Sequence, residues 1–524
     1  MVRLMRPPPS PPVPALETQD DGAEVHLGAA PTAPAGTAPD ERAGLLRAGA
    51  HGVLWQGLAQ VVGKLVVLGT TVVLARLLVP EQFGLVSLSL VLITYAEAFA
   101  DAGVAQALVY LPRTRATLRA ALASSLVAGV GLMVAAMAAA PLLASFFQQP
   151  DVTPLARLLA VSLLTASLGA LPESLLRRDL RFRSLTVSTV CRVLVTGAVS
   201  VSLAVAGHGA WALAWGTVAG SLAYAVVNWV SLAERPDLAL WRTTRHDVRQ
   251  VLVYGVPVAG SGLLARLIAN VDYLVVGRML GATALGHYTL AFRIPELLII
   301  NVFFVLSSVA FPMFSRVRGN MAQLRSAYLF SVRLYALYGV CAGVGLAVVA
   351  PLVVPVVFGD QWDDATAPLV ALALYAACRS IGVGANEVYK AMGRPGLAMS
   401  LSVFRLAVLV PALVVGAQHW GVLGVAWAQV ATSLLFAVVM QGRAAQVLSL
   451  RLRDLAGALV PALVTGGTVL AVALPLSRLP LPAAVALPVV VLAALVGAGA
   501  VLALVQRPLV RDLAQLARRR PTAP

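Results

Sequence analysis

Charge is scarce in this chain. Only 12% of its 524 residues are Asp, Glu, Lys or Arg, and acids number 23 against 39 bases. A soluble globular chain carries about 25% charged residues, so an ordinary soluble fold is excluded. Cysteine is nearly missing. Cys191, Cys341 and Cys378 all lie in apolar stretches, which excludes a disulfide framework. The six His are scattered, none with a partner at metal-ligand spacing, and no glycine loop of the phosphate-binding kind occurs. The expectation is therefore a protein that is not an enzyme, with no cofactor and no metal.

Hydrocarbon fills the place of charge. Hydrophobic residues make up 59% of the sequence, and the mean hydropathy is +0.85. A spanning helix needs about 20 apolar residues, so the chain has room for a dozen or more. The apolar runs are continuous, where the strands of an outer-membrane barrel would alternate. The net charge of +16 does not read as a nucleic-acid footprint, because the basic residues are spread over short loops and form no single face.

The pattern predicts an all-α integral membrane protein with fourteen helices, at 52–79, 83–111, 116–146, 155–176, 184–206, 209–233, 248–279, 283–314, 326–357, 365–389, 396–416, 419–442, 455–476 and 481–506. Residues 1–47 are rich in Pro, Ala, Thr and acids and are expected to be a disordered tail, not a cleavable signal peptide. Residues 507–524 form a basic tail. Placing the N-terminus in the cytoplasm puts 19 Lys and Arg on the inner loops and four (Arg76, Arg157, Arg278 and Arg478) on the outer ones. Such asymmetry sets orientation, and it predicts that both termini are cytoplasmic.

The chain also repeats. VVLARLLVPEQFGLVSL (72–88) falls on LVVGRMLGATALGHYTL (274–290) at an offset of 202, aligning Arg76 with Arg278 and Gly84 with Gly286. Pro154 meets Pro368 and Glu173 meets Glu387 at an offset of 214. Residues 48–240 and 241–450 thus read as two six-helix lobes, with 451–506 holding two further helices. An even number of spans per lobe makes the repeat parallel, and transporters built this way hold substrate between the halves.

Charges inside the spans mark the candidate site, since an ionised side chain in hydrocarbon costs at least about 2.5–3.5 kcal/mol. Gln60 and Lys64 share one face of the first helix; Arg266, Asn270 and Tyr273 share one face of the seventh. Lys64 and Arg266 are 202 apart, and Arg192 and Arg405 are 213 apart. These two pairs of cations are expected to line one central cavity. Arg293 has Glu296 three residues on, which suggests local pairing. Glu97 and Asp101 are one helical turn apart, an arrangement suited to a proton or cation site or to counter-ions for Lys64.

Several segments carry a family resemblance. LARLLVPEQFGLVSL, FADAGVAQALV, LLRRDLRFRSL, VDYLVVGRMLGATALGHYTLAFRI, AFPMFSRVRG and FGDQWDDATAPLVALAL, in that order over residues 50–450, resemble the polysaccharide transporter family of Wzx-type flippases. The resemblance implies the fold of the multidrug/oligosaccharidyl-lipid/polysaccharide exporter superfamily, working by alternating access in the plasma membrane. It implies an oligosaccharide on undecaprenyl diphosphate as cargo, with membrane lipids and a polymerase and chain-length regulator as partners. Fixed cations in a wet cavity would replace the lost hydration of the diphosphate. Two rivals are a cation-coupled multidrug antiporter, whose site should be acidic and aromatic, and a membrane-embedded polymerase, which should carry a long outer loop.

Overall fold

A computed structural model of the chain describes residues 60–100, 114–232 and 245–505. Every regular element among them is helical. In chain order these are α1 (Gln60–Leu77), α2 (Pro80–Ala100), α3 (Arg115–Phe147), α4 (Val152–Arg178), α5 (Phe182–Val205), α6 (Ala210–Val230), α7 (Arg245–Pro295), α8 (Asn301–Val317), α9 (Met321–Val353), α10 (Thr366–Ala391), α11 (Pro395–Leu448), α12 (Leu452–Ser477) and α13 (Ala483–Val505). Among the described residues, eleven helical runs are long and apolar enough to cross a membrane. The two tails and Asp101 lie outside the described residues.

Two of these helices are bent by glycine. Gly281 in α7 has φ 86°, and Gly421 in α11 has φ 59°. A side chain at such positive φ would strain the backbone, so only glycine takes the position readily. Gly281 falls inside the junction expected at 279–283, and Gly421 falls two residues past the start of the helix expected at 419. Each glycine turns one long helix into two limbs.

Hydrocarbon offers no water to a hydroxyl or a loose backbone group. The helices answer this internally. Ser89 bonds the Leu85 carbonyl at 2.8 Å and Ser167 the Leu163 carbonyl at 2.9 Å, each within its own helix. Asn320 caps α9 by accepting from the amides of Ala322 and Gln323, both at 3.1 Å.

Among the described glycines, the tightest approach to another backbone lies between α2 and the second limb of α7. A Cβ added to Gly84 would sit 1.8 Å from the Ala282 carbonyl oxygen, and one added to Gly286 would sit 1.8 Å from that of Pro80. Between them, the Thr289 and Ser87 hydroxyls are 3.1 Å apart. Pro80 and Ala282, Gly84 and Gly286, and Ser87 and Thr289 are each 202 residues apart. The contact therefore maps onto itself when the two helices are exchanged, as a local two-fold axis requires.

Outside this seam, further contacts join the same regions. Arg76 donates through Nε to the Val357 carbonyl at 3.0 Å and through Nη2 to that of Val356. The Trp362 indole and the Gln361 amide both donate to the Ala75 carbonyl, the indole at 2.8 Å. Arg278, the repeat mate of Arg76, lies over the Phe146 ring at 5.7 Å.

The seam yields a prediction. Gly84→Ala and Gly286→Ala each force the two backbones apart, at about 1–3 kcal/mol of overpacking. Thermal unfolding of the purified protein should show lower midpoints for both, and lower again for Gly84→Val. Variants that melt with the parent would refute the close approach.

Candidate functional site

The seam forms one end of a cavity of about 480 Å³, walled by α1, α2, α5, α6 and the second limb of α7. Ser87 and Thr289 line it at that end. Gln60, Lys64, Arg192 and Arg293 line it as well, so three cations meet in one space. The helices are shaped to leave that space open. A Cβ on Gly216 would sit 1.9 Å from the Ser200 hydroxyl, and one on Gly220 would sit 1.9 Å from that of Thr196. These α6 glycines let α5 pack close while Thr196 and Ser200 stay on the cavity wall.

The cations differ in their partners. Lys64 is half-buried and forms no ion pair among the described residues; Glu296 and Arg293 act on it through space. Arg192 lies over the Tyr224 ring at 5.8 Å. Arg293 pairs with Glu296 at 3.5 Å, the local pairing that its spacing suggested, and it also faces the cavity. A cavity with Lys64 and Arg192 on its wall and no carboxylate among its lining residues is arranged to receive an anion.

Arg266 has a different setting. Its Nη1 donates to the Thr94 carbonyl at 2.9 Å and to Glu97 Oε2 at 3.1 Å, across the α2–α7 interface. Asn270 donates back to the Arg266 carbonyl at 2.9 Å. Glu97 is thus the partner of Arg266. Asp272, six residues on, is 1% exposed and points elsewhere. Its carboxylate accepts from the Tyr288 hydroxyl at 2.6 Å, the Gln429 amide at 3.0 Å and the Tyr273 backbone amide at 3.0 Å. The two charges of this span therefore do not neutralise each other. One is answered by α2 and the other by the far limbs of α7 and α11.

Arg405 lies apart again. With Arg379 it lines a second cavity of about 180 Å³, between α8, α10 and α11. Of the six candidate binding residues, the fold brings Gln60, Lys64 and Arg192 to one cavity, ties Arg266 to α2, bonds Asn270 to the Arg266 carbonyl within α7, and places Arg405 in a separate pocket. Arg379 and the Tyr288–Asp272–Gln429 cluster escaped the sequence reading. Arg379 was visible as a charge inside an apolar span (YAACRSIGVG). The cluster was not, because Gln429 is 157 residues from Asp272.

Comparison with known proteins gives these helices a context. A family model described as "Polysaccharide biosynthesis protein" matches residues 73–367, more than half of the chain. The lipopolysaccharide biosynthesis protein WzxC of Escherichia coli (strain K12) is 26% identical over 379 residues, covering 71% of this chain and 76% of that protein. The teichuronic acid biosynthesis protein TuaB of Bacillus subtilis (strain 168) is 26% identical over 340 residues, covering 63% of this chain and 68% of its own. Among solved structures, the lipid II flippase MurJ in its inward closed conformation superposes with a TM-score of 0.72 at 13% identity, over 87% of this chain and 100% of that one. An inward-facing MATE-family multidrug transporter superposes with a TM-score of 0.62 at 17% identity, over 76% and 98%. At these identities the superpositions establish the fold.

The Arg266–Glu97 pair is open to a double-mutant cycle. Arg266→Gln and Glu97→Gln should each lower the melting midpoint, and the double variant should lose less than the two losses combined. Both side chains are about one-third exposed, so a coupling of about 1 kcal/mol is expected. Strict additivity would show that the contact contributes nothing.

Proposed function

The chain belongs to the polysaccharide biosynthesis protein family, and on that premise we propose that it is a flippase for oligosaccharide units carried on a polyprenyl diphosphate. The observation that carries the proposal is the cavity closed at the α2–α7 seam, with Lys64 and Arg192 on its wall and no carboxylate among its lining residues. A diphosphate headgroup is polyanionic. Lys64, Gln60 and Arg192 replace its lost hydration, and guanidinium binds phosphate through two parallel hydrogen bonds. The threonine and serine hydroxyls of α5 take up sugar hydroxyls. The prenyl chain stays in the bilayer throughout.

The roles named for the similar proteins, lipopolysaccharide and teichuronic acid biosynthesis and lipid II flipping, support this cargo class. The acid-free lining favours an anionic cargo over the cationic drugs of an antiporter. The chain is a multi-pass membrane protein. In the proposed topology it lies in the plasma membrane with both termini in the cytoplasm, two six-helix lobes at 48–240 and 241–450, and two further helices at 451–506. Dividing the two bent runs at Gly281 and Gly421, and counting α2, makes the eleven runs into fourteen crossings.

In this topology the seam is the outer closure and the cavity is loaded from the cytoplasmic side. Transport then requires α2 and the second limb of α7 to part. Glu97, with Asp101 beyond it, is the carboxylate assigned to ion coupling, and its grip on Arg266 links that step to α7. A polymerase and a chain-length regulator would take the delivered unit.

Two outcomes test this reading in cells that depend on the chain for polymer export. Lys64→Ala and Arg192→Ala should each cut export at least tenfold at parental membrane levels by immunoblot; parental export from either one counts against the cavity. Separately, the Ser87→Cys/Thr289→Cys pair should cross-link under mild oxidation and stop export, and reduction should restore it. Undiminished export by fully cross-linked protein would show that the seam does not open.

A further inference from the structure

The second cavity, between α8, α10 and α11, holds two guanidinium groups that the fold itself does not call for. Arg379 Nη1 donates to the Tyr375 hydroxyl at 2.6 Å, and its guanidinium carbon lies 5.9 Å from the centre of the same ring. Arg405 is close enough to Tyr375 and Arg379 to act on both electrostatically. Among the described residues neither arginine forms an ion pair. Glu387 lines the cavity but binds Lys390 at 3.2 Å. Asp272 acts on Arg405 from a distance, with its oxygens held by Tyr288, Gln429 and the Tyr273 amide. Two like charges on the wall of one cavity repel each other, and an anion between them relieves the repulsion.

The repeat supplies an internal control. Arg405 answers to Arg192 in the first half, but Arg379 falls 214 positions after Thr165. Thr165 is buried and donates to the Ser221 hydroxyl at 2.7 Å. The same helix is therefore built in the first half with a hydroxyl at this place. The scaffold needs no cation there, and Arg379 is an addition that a ligand explains.

Two unanswered atoms describe the ligand. Arg405 Nε is a buried donor without an acceptor, and Asn386 Oδ1 is a buried acceptor without a donor. Both residues line the cavity. A carboxylate fits the forked donors of paired arginines. A hydroxyl beside that carboxylate would donate to Asn386. A diphosphate diester carries no O–H at neutral pH and leaves Asn386 unmet. About 180 Å³ suits one sugar ring and not a chain. Resting on the flippase reading above, we propose that the Arg379–Arg405 cavity is a subsite for a carboxylate-bearing sugar of the cargo, separate from the Lys64–Arg192 cavity that takes the diphosphate.

The test uses the purified full chain and three probes: glucuronate, glucose and inorganic diphosphate, each titrated by isothermal titration calorimetry. Glucuronate should bind, and glucose should bind at least tenfold more weakly. Arg379→Thr, which installs the side chain of the first half, should weaken glucuronate at least tenfold and leave diphosphate unchanged. Lys64→Ala should do the reverse. Thermal midpoints report folding; if Arg379→Thr does not fold, Arg379→Lys replaces it, with a loss of at least threefold expected. Glucuronate binding that is absent from the folded parent, unchanged in the variant or matched by glucose overturns the proposal. So does an Arg379→Thr protein that loses diphosphate and keeps glucuronate. Glucuronate binding that depends on Arg379, with diphosphate binding nowhere, would sink the diphosphate cavity and leave this subsite standing.

Discussion

The architecture depends on one backbone contact. α2 and the second limb of α7 cross so closely that the Gly84 and Gly286 positions have no room for a β-carbon against the opposite carbonyl. Packing in lipid gains little from the hydrophobic effect, because the tails are as apolar as the side chains. Close approach of small residues supplies dispersion instead. The seam closes one end of the cavity, brings Ser87 to Thr289, and sets the bases of α1 and α9 where Arg76 can bond the Val356 and Val357 carbonyls. Those carbonyls lie in the π-helical turn Val354–Phe358 that continues α9, where a cation is favoured by the dipole.

The charges inside the helices sort by how each is answered. Arg266 is answered by Glu97 and a carbonyl, and Asp272 by three donors. Arg293 is answered by Glu296. Lys64, Arg379 and Arg405 have no carboxylate partner among the described residues, and each lines a cavity. This division separates charge that organises the fold from charge held ready for a ligand. An unanswered cation persists in a membrane interior only where water or cargo can reach it.

Much of this was legible in the sequence. Long apolar runs gave the helices, and the 202-residue offset brought Arg76, Gly84 and their mates into register before any contact was known. The cation-rich cavity was legible in part, through Gln60 and Lys64 at helical spacing. The partner of Arg266 was not. Glu97 lies 169 residues away, and periodicity along one helix does not report which face of a distant helix it meets. The separation of Arg405 from Arg192 was hidden for the same reason, since rotation of a helix by one residue re-aims a side chain by about 100°. The hydroxyl lining of α5 was hidden too, because Thr and Ser in a spanning helix usually bond their own backbone.

The bond between Ser87 and Thr289 sets a chemical condition on both positions. A side chain on a two-fold axis meets its own counterpart, so it must be complementary to itself. A lysine there would face a lysine, and an aspartate an aspartate. A hydroxyl escapes this, because it donates and accepts with the same atom. The same pairing serves equally between two identical chains. The on-axis pair is thus a place where a single chain obeys the rule of a symmetric dimer.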